Sequence, residues 1–364
     1  MSAADPVEAY LVTGFLGSGK TTLLRGLLAS PAFADTAVIV NELGTVGLDH
    51  ELLSFSADST LVMPGGCLCC TIREDIEVAL RQLFAARDAG RIPPFRRLVI
   101  ETSGLAEPLP LLMTLHANPL ALERLRRPQT IAVVDGLLGL ATLAAQPEAE
   151  AQVVHADRIL LSKADLAGPE ALAALTEAVR ALNPWAPVTS ADLETDCLEE
   201  LFRPAAAAPA GEDWLRGRQD HRAAATERHG AVRTHSVTLE RPLDWTGFGV
   251  WTTLLLHRHG DRVLRVKGIL DVDGLPGPTV FQSAQHLVHP PQHLAEWPSA
   301  ERRSRLVFIL RGLDPALLQA SLAAFDHAAR TAPVAAAQDL PAGAGGSIAG
   351  RPVRRATAPR WMKG

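Results

Sequence analysis

Short apolar segments rich in Val, Ile and Leu recur through the first half of the chain, each ending where a polar or glycine-containing stretch begins. Residues 9–13, 37–41, 59–63, 97–101, 130–134 and 158–161 fit buried strands. Between them, residues 21–29, 73–87, 108–116 and 169–182 carry apolar positions at helical spacing. Pro108 and Pro169 suit first-turn positions, and Asn183-Pro184 reads as a stop. Strands alternating with helices predict an α/β fold, a mostly parallel sheet flanked by helices. In such sheets ligands sit off the carboxyl ends of the strands.

From Arg203 onward the periodicity lapses into a Pro-Ala stretch and then a charged run, so residues 205–231 are expected to form a linker between a first domain at 1–204 and a second. Residues 232–240 then alternate like a strand, 248–257 look helical, 262–272, 279–283 and 305–311 look extended, and 315–329 look helical. That predicts a smaller α+β domain over 232–330, built on an antiparallel sheet. Trp245, Trp251 and Trp297 are expected in its core or interface. Residues 331–364 are rich in Ala, Gly and Pro and carry Arg351, Arg354, Arg355, Arg360 and Lys363 with no acid beside them, which predicts a disordered basic tail.

Composition narrows the function classes. The 364 residues suffice for two cores, and a net charge of −5 argues against a nucleic-acid partner. Four cysteines stand at 67, 69, 70 and 197, and three within four positions cannot form a disulfide framework. Metal or thiolate chemistry in a reducing compartment is expected instead. The start of the chain lacks a basic, apolar leader, and no run of about 18 apolar residues occurs. A cytoplasmic protein without a membrane partner follows as the expectation.

The chemistry concentrates at Gly14-Phe15-Leu16-Gly17-Ser18-Gly19-Lys20-Thr21-Thr22, directly after the first strand. The G-x-x-x-x-G-K-[ST] spacing lets backbone N–H groups curl around a polyphosphate, with Lys20 reaching the β- and γ-phosphates and Thr21 ligating Mg²⁺. Leu98-Val99-Ile100-Glu101 ends a strand on a carboxylate suited to Mg²⁺, and Gly104 is free to turn its N–H toward a γ-phosphate. Ser162-Lys163-Ala164-Asp165 follows another strand. There Asp165 pairs with guanine N1–H and its 2-amino group, whereas adenine leaves the carboxylate unpaired, which favours GTP over ATP. Ser162 replaces the usual Asn of this segment.

Cys67, Cys69 and Cys70 lie in Gly65-Gly66-Cys67-Leu68-Cys69-Cys70, ahead of a helix whose N-terminus favours thiolates. Three thiolates suit Zn²⁺, Cu(I) or another thiophilic ion and leave one tetrahedral position for exchange. Buried or redox-reactive thiols are the competing reading.

The phosphate loop, NELGTVGLDH, GGCLCC, ETSGLAEP and SKADL, in this order, resemble the CobW-like GTPases, SIMIBI-class P-loop proteins related to UreG and HypB. The resemblance runs from about Glu8 to Phe325, its C-terminal part carried by Arg265-Val266-Lys267-Gly268-Ile269-Leu270 and 305–312. It implies an N-terminal GTPase domain, a CobW-type C-terminal domain and a protein that chaperones or inserts a metal; with no residue standing out as a general base, slow intrinsic turnover is expected. Lys20 and Glu101 would serve hydrolysis, while Asn41, Glu42 and Asp49 would lie in a switch segment near Mg²⁺ and the γ-phosphate. Cys67, Cys69 and Cys70 would hold Zn²⁺ or Co²⁺, and Lys163 and Asp165 would read the base. The implied partners are GTP, the metal ion and a client metalloprotein, with a homodimer left open.

Two departures stand out: Thr45 occupies a position that is commonly acidic in the family, and a His-rich stretch is missing. His286, His289 and His293, in a proline-containing segment expected to be a loop, read as metal ligands or as ordinary histidines. His50 and Cys197 read as a loop residue and an ordinary thiol. Other readings are cobalt delivery in cobalamin synthesis, activation of a metalloenzyme, a zinc buffer stabilised by nucleotide, or an ATP-dependent kinase sharing only the phosphate loop.

Overall fold

The computed structural model describes residues 6–41, 60–63, 71–190, 195–204, 232–298 and 300–331. Among these, seven strands form a parallel sheet: β1 (Glu8–Thr13), β2 (Thr36–Asn41), β3 (Thr60–Met63), β4 (Arg97–Glu101), β5 (Gln129–Asp135), β6 (Arg158–Ser162) and β7 (Val188–Ser190). Their order is β3-β2-β4-β1-β5-β6-β7, with every pair parallel. A sheet covered on both faces reads as continuous apolar runs, and β5 is buried at all seven positions.

Alternate residues of these strands build two cores. Ala9, Leu11, Ile39, Leu98 and Ile100 pack with Leu80 and Phe84 of the helix Thr71–Asp88 and Leu111 and Leu115 of Pro108–Ala117. Tyr10, Val12, Val38, Val40 and Val99 face the other way, onto Leu23, Leu24 and Leu27 of the helix Lys20–Ala29 and Leu198 and Leu201 of Thr195–Leu201. The Tyr10 hydroxyl donates to the Phe202 carbonyl at 2.6 Å, and burial pushes its pKa up to about 12. That bond fastens the end of the first domain to its first strand.

Every strand and helix expected in the first half is present within a residue or two. The strand β7 and the helices Pro119–Arg124, Gly139–Ala145, Pro147–His155 and Thr195–Leu201 carried no sequence expectation. They are short, and single residues, Asn118 and Gln146, separate Pro119–Arg124 and Pro147–His155 from the helices before them. The side chain of Asn118 ends one helix and caps the next, accepting from Ala121 N at 3.0 Å just ahead of Pro119.

The second sheet, among the described residues, is antiparallel. It comprises β8 (Val232–Leu239), β9 (Val263–Leu270), β10 (Thr279–Ala284), β11 (Leu287–Val288), β12 (Gln292–His293) and β13 (Ser304–Arg311) in the order β11-β10-β9-β13-β8, with β12 also on β10. The segment expected to be a histidine loop thus contributes two short strands, because its apolar and polar residues pair with the exposed edge of β10. On one face Leu306, Phe308 and Leu310 pack with Phe248 and Trp251 of the helix Trp245–His259 and Leu318 of Pro315–Thr331. Trp251 is core, as expected, whereas Trp245 is exposed.

The alternate residues Val307 and Ile309 pack with Leu264 against Val154 and Trp185 of the parallel half. Arg265, itself buried, crosses this seam. It donates to the carbonyls of Val154 (3.1 Å) and Ala156 (2.7 Å) and pairs with Asp157. Burial works against the Asp157 carboxylate, but Arg265 and Arg127 outweigh it and hold its pKa far below the usual range. Removing one partner of such a pair costs about 3–5 kcal/mol, so the two halves are docked as one polar and apolar joint. Lys267 lies over the Trp185 ring at 5.6 Å, and its pKa is pushed down to about 7 by burial and then by Arg265.

His155, at the end of the helix Pro147–His155, is buried in this joint, and burial lowers its pKa to about 3. The unfolded chain binds a proton there below its ordinary value of about 6.5 while the folded chain does not, so stability falls as pH drops through that window. Relative to a His155→Gln variant, the wild type should lose about 2 kcal/mol more between pH 7 and pH 5, measured by urea unfolding.

Candidate functional site

The register of the parallel sheet aligns the strand ends that matter. Glu101, last in β4, stands beside Val12 of β1 and Val40 of β2, and Asp135 of β5 stands beside Ser162 of β6. The carboxyl edge therefore presents, in order, the ends of β3 and β2, Glu101, the loop after β1, Asp135, and Ser162 with Lys163 and Asp165.

The loop Gly14–Gly19 requires its glycines. Gly14, Gly17 and Gly19 have φ of 147°, 73° and 96°. A Cβ on Gly14 would lie 2.3 Å from the carbonyl oxygen of Val133. Gly19 caps the helix Lys20–Ala29 in a left-handed conformation. The amide ends of that helix open into the curled loop, an arrangement that accepts an anion. Lys20 is buried and its ammonium donates to the carbonyls of Gly14 (2.8 Å) and Phe15 (3.3 Å), folded over the loop where a phosphate oxygen would compete for it. Thr21 is half-buried and Thr22 exposed at the helix start. Beside the loop lies a cavity of about 180 Å³ lined by Gly14, Leu16, Asp135, Leu138 and Gln152 among others.

Neighbouring strand ends brace this loop. The Ser162 hydroxyl donates to Ser18 O at 2.6 Å, so the residue that replaces the usual Asn holds the loop. Lys163, at φ 54°, donates to Gly17 O at 2.9 Å and to Asp135 at 2.6 Å. Burial raises the Asp135 pKa, but the Lys163 bond and the backbone amides of Leu138 and Leu137 outweigh it and leave the carboxyl below its ordinary value. Asp165 is exposed in the short helical turn Ala164–Leu166, two residues beyond Lys163. Gly104 backs onto the loop from the far side: a Cβ there would lie 2.7 Å from Leu16 N. Glu101 is 3% exposed, and the next residue, Thr102, bonds the Thr13 hydroxyl at 3.0 Å. Thr21, in the first turn of the helix, and Glu101, at the end of β4, carry oxygen donors of the kind Mg²⁺ selects.

The structure therefore brings Gly14, Gly17, Ser18, Gly19, Lys20, Thr21, Glu101, Gly104, Ser162, Lys163 and Asp165 to one edge. Glu42, Asp49, Cys67, Cys69 and Cys70 lie outside the described residues, as do Thr45 and His50. Their segments leave from the ends of β2 and β3, where Asn41 pairs with Met63. Among the described residues no group of three or more His, Cys, Asp or Glu is arranged to hold a metal. His289 instead packs on His116, ring centroids 4.9 Å apart, and His293 bonds Thr279 at 2.9 Å. Burial lowers the pKa of His289 to about 3 and also lowers that of His116.

Two contributors escaped the sequence reading. Asp135 carried the same signal as Glu101, an apolar strand ending on a carboxylate. Gln152 is buried in the helix Pro147–His155, and its amide donates to the carbonyls of Gly104 and Ala106, both at 3.1 Å. Nothing local distinguishes it from any polar helix residue.

Residues 8–190 match the CobW/HypB/UreG nucleotide-binding domain, and residues 232–326 match the cobalamin synthesis protein cobW C-terminal domain. The zinc chaperone YjiA of Escherichia coli is 33% identical over 306 residues, covering 84% of this chain and 94% of that protein. The zinc-regulated GTPase metalloprotein activator 1 of Schizosaccharomyces pombe is 32% identical over 189 residues, 50% of this chain and 45% of that protein. The crystal structure of Zn(II)-bound YjiA GTPase from E. coli superposes with a TM-score of 0.66 at 29% identity, covering 88% of this chain and 99% of that one. With both regions matched and a relative 33% identical along 84% of the chain, the chain belongs to the CobW/HypB/UreG family of P-loop GTPases.

Proposed function

We propose that this protein is a GTP-hydrolysing metallochaperone, with a GTPase domain at 1–204 and a CobW-type domain at 232–330 acting on one transition metal ion, zinc by preference. The observation that carries the reading is the braced glycine loop, with Lys20 poised on its carbonyls and Asp165 two residues beyond the lysine that braces it. The relatives named as zinc chaperones support the choice of metal. Among the described residues no helix is long and apolar enough to cross a membrane, in keeping with cytoplasmic work on a client metalloprotein.

In this reading the loop amides and Lys20 hold the β- and γ-phosphates, while Asp165 accepts from the guanine edge and Lys163 keeps its stem along the base. Thr21 and Glu101 would hold Mg²⁺, which would supply neutralising charge to the phosphates. Water attacks the γ-phosphorus, the bond to the β–γ bridging oxygen breaks, and GDP and phosphate leave. No described side chain stands out as a general base, so catalysis rests on positioning, and unassisted turnover is slow.

Cys67, Cys69 and Cys70 supply the thiolates for the cargo ion. Their segment and the one carrying Glu42 leave from neighbouring strand ends, about 5 Å apart at ordinary sheet spacing, so ion and nucleotide bias adjacent stretches of chain and must alter each other's affinity reciprocally.

Three outcomes test this. Lys20→Ala should weaken GTP binding about 10- to 100-fold by calorimetry, the worth of a charge-assisted hydrogen bond. Asp165→Ala should cut the preference for GTP over ATP at least about tenfold in competition binding, with ATP affinity unchanged. In the Cys67→Ser, Cys69→Ser, Cys70→Ser triple variant, Zn²⁺ should no longer change GTP affinity or turnover. Equal zinc response in variant and wild type sinks the coupling.

A further inference from the structure

We propose that Gln152 is a positioning residue for the turn after Glu101, and that its helix relays the docking of the second domain to the nucleotide loop. The inference rests on the reading of Gly14–Thr22 as a triphosphate site and adds a control point remote from it.

The relay is a chain of close contacts. Gly104 touches the loop backbone at Leu16 so tightly that no side chain fits between them. The turn carrying Gly104 is held from below by Thr102 N on the Val12 carbonyl at 2.9 Å and closed by Ala106 N on the Ser103 carbonyl at 3.1 Å. The buried Gln152 amide then grips the turn by two carbonyls, those of Gly104 and Ala106. Among the described residues its side-chain oxygen accepts no hydrogen bond, so the grip seen here is made by the amide donors. A carbonyl held in this way fixes its peptide plane, and with it the direction in which neighbouring N–H groups point.

The second domain holds the same helix on either side of Gln152. Arg311 of β13 pairs with Glu150 at 2.7 Å, two residues before Gln152. Arg265 of β9 holds the carbonyls of Val154 and Ala156. Val154 is packed into the apolar seam with Leu264, Val307 and Ile309. A helix of nine residues cannot bend appreciably between these grips, so a shift of the second sheet displaces the Gln152 amide and hence the Gly104 turn. Client or metal binding that strains the second domain would in this way retune GTP turnover.

The test uses the full chain and the variants Gln152→Met, which keeps volume and removes both donors, and Arg311→Gln. The readouts are GTP affinity, turnover, and hydrogen exchange of residues 102–106. Q152M should lower kcat about tenfold with GTP affinity within about twofold; R311Q should lower kcat about threefold alone and not at all in the Q152M background. Both should speed exchange at 102–106. Arg311 is part-exposed, so R311Q decides the matter even where Q152M fails to fold. Wild-type kcat in Q152M, an R311Q effect that persists undiminished in Q152M, or unchanged exchange in R311Q overturns the relay. Failure of the wild-type chain to bind GTP would overturn the triphosphate reading instead, and exchange at 102–106 would still judge the relay.

Discussion

The loop Gly14–Gly19 is held by backbone crowding. Gly14 sits where any side chain would strike the Val133 carbonyl, and Gly104 sits where any side chain would strike Leu16. Ser162 and Lys163 then take the outward carbonyls of Ser18 and Gly17. These contacts come from four different strand ends, and only the parallel order β4-β1-β5-β6 brings them together. The loop's path is thus set by its neighbours, with Ser18 N turned back onto the Phe15 carbonyl at 3.1 Å. A loop braced in this way spends little binding energy on ordering its backbone, and Lys20 alone has to change partners.

Much of this was legible beforehand because it depends on local signals. Glycines at fixed offsets, a lysine and a threonine at the helix start, and apolar runs ending on acids locate both the loop and the sheet edge from sequence. Lys163-x-Asp165 was legible for the same reason. What escaped depends on partners far along the chain. Ser162 reads as a missing base contact, yet its hydroxyl reaches back to residue 18. Asp135 matters because Lys163 bonds it. The helices between 139 and 155 join through one or two residues, so no loop composition separates them. The histidines of the second domain, which read as ligands or as ordinary residues, go separate ways, His289 onto His116 and His293 onto Thr279. The cysteine motif remains a sequence argument, since its residues fall outside those the structure describes.

The joint between the halves combines a packed apolar seam with charges that only the folded pair can satisfy. Arg265 supplies donors to the carbonyl end of a helix in the other half, a role usually filled within the same segment. Asn183 does the same work from its own side, donating to the carbonyls of Val153 and Ala156. The helix Pro147–His155 is therefore terminated jointly by both halves.

Strand β13 has two allegiances: Leu306, Phe308 and Leu310 serve the core of its own sheet, while Val307 and Ile309 serve the neighbour. Severed from the nucleotide half, the antiparallel unit would keep an intact interior and yet bare Leu264, Val307 and Ile309 to water as one greasy patch. Such a unit would stay soluble only with a surface to cover that patch, the one Val154 and Trp185 provide here.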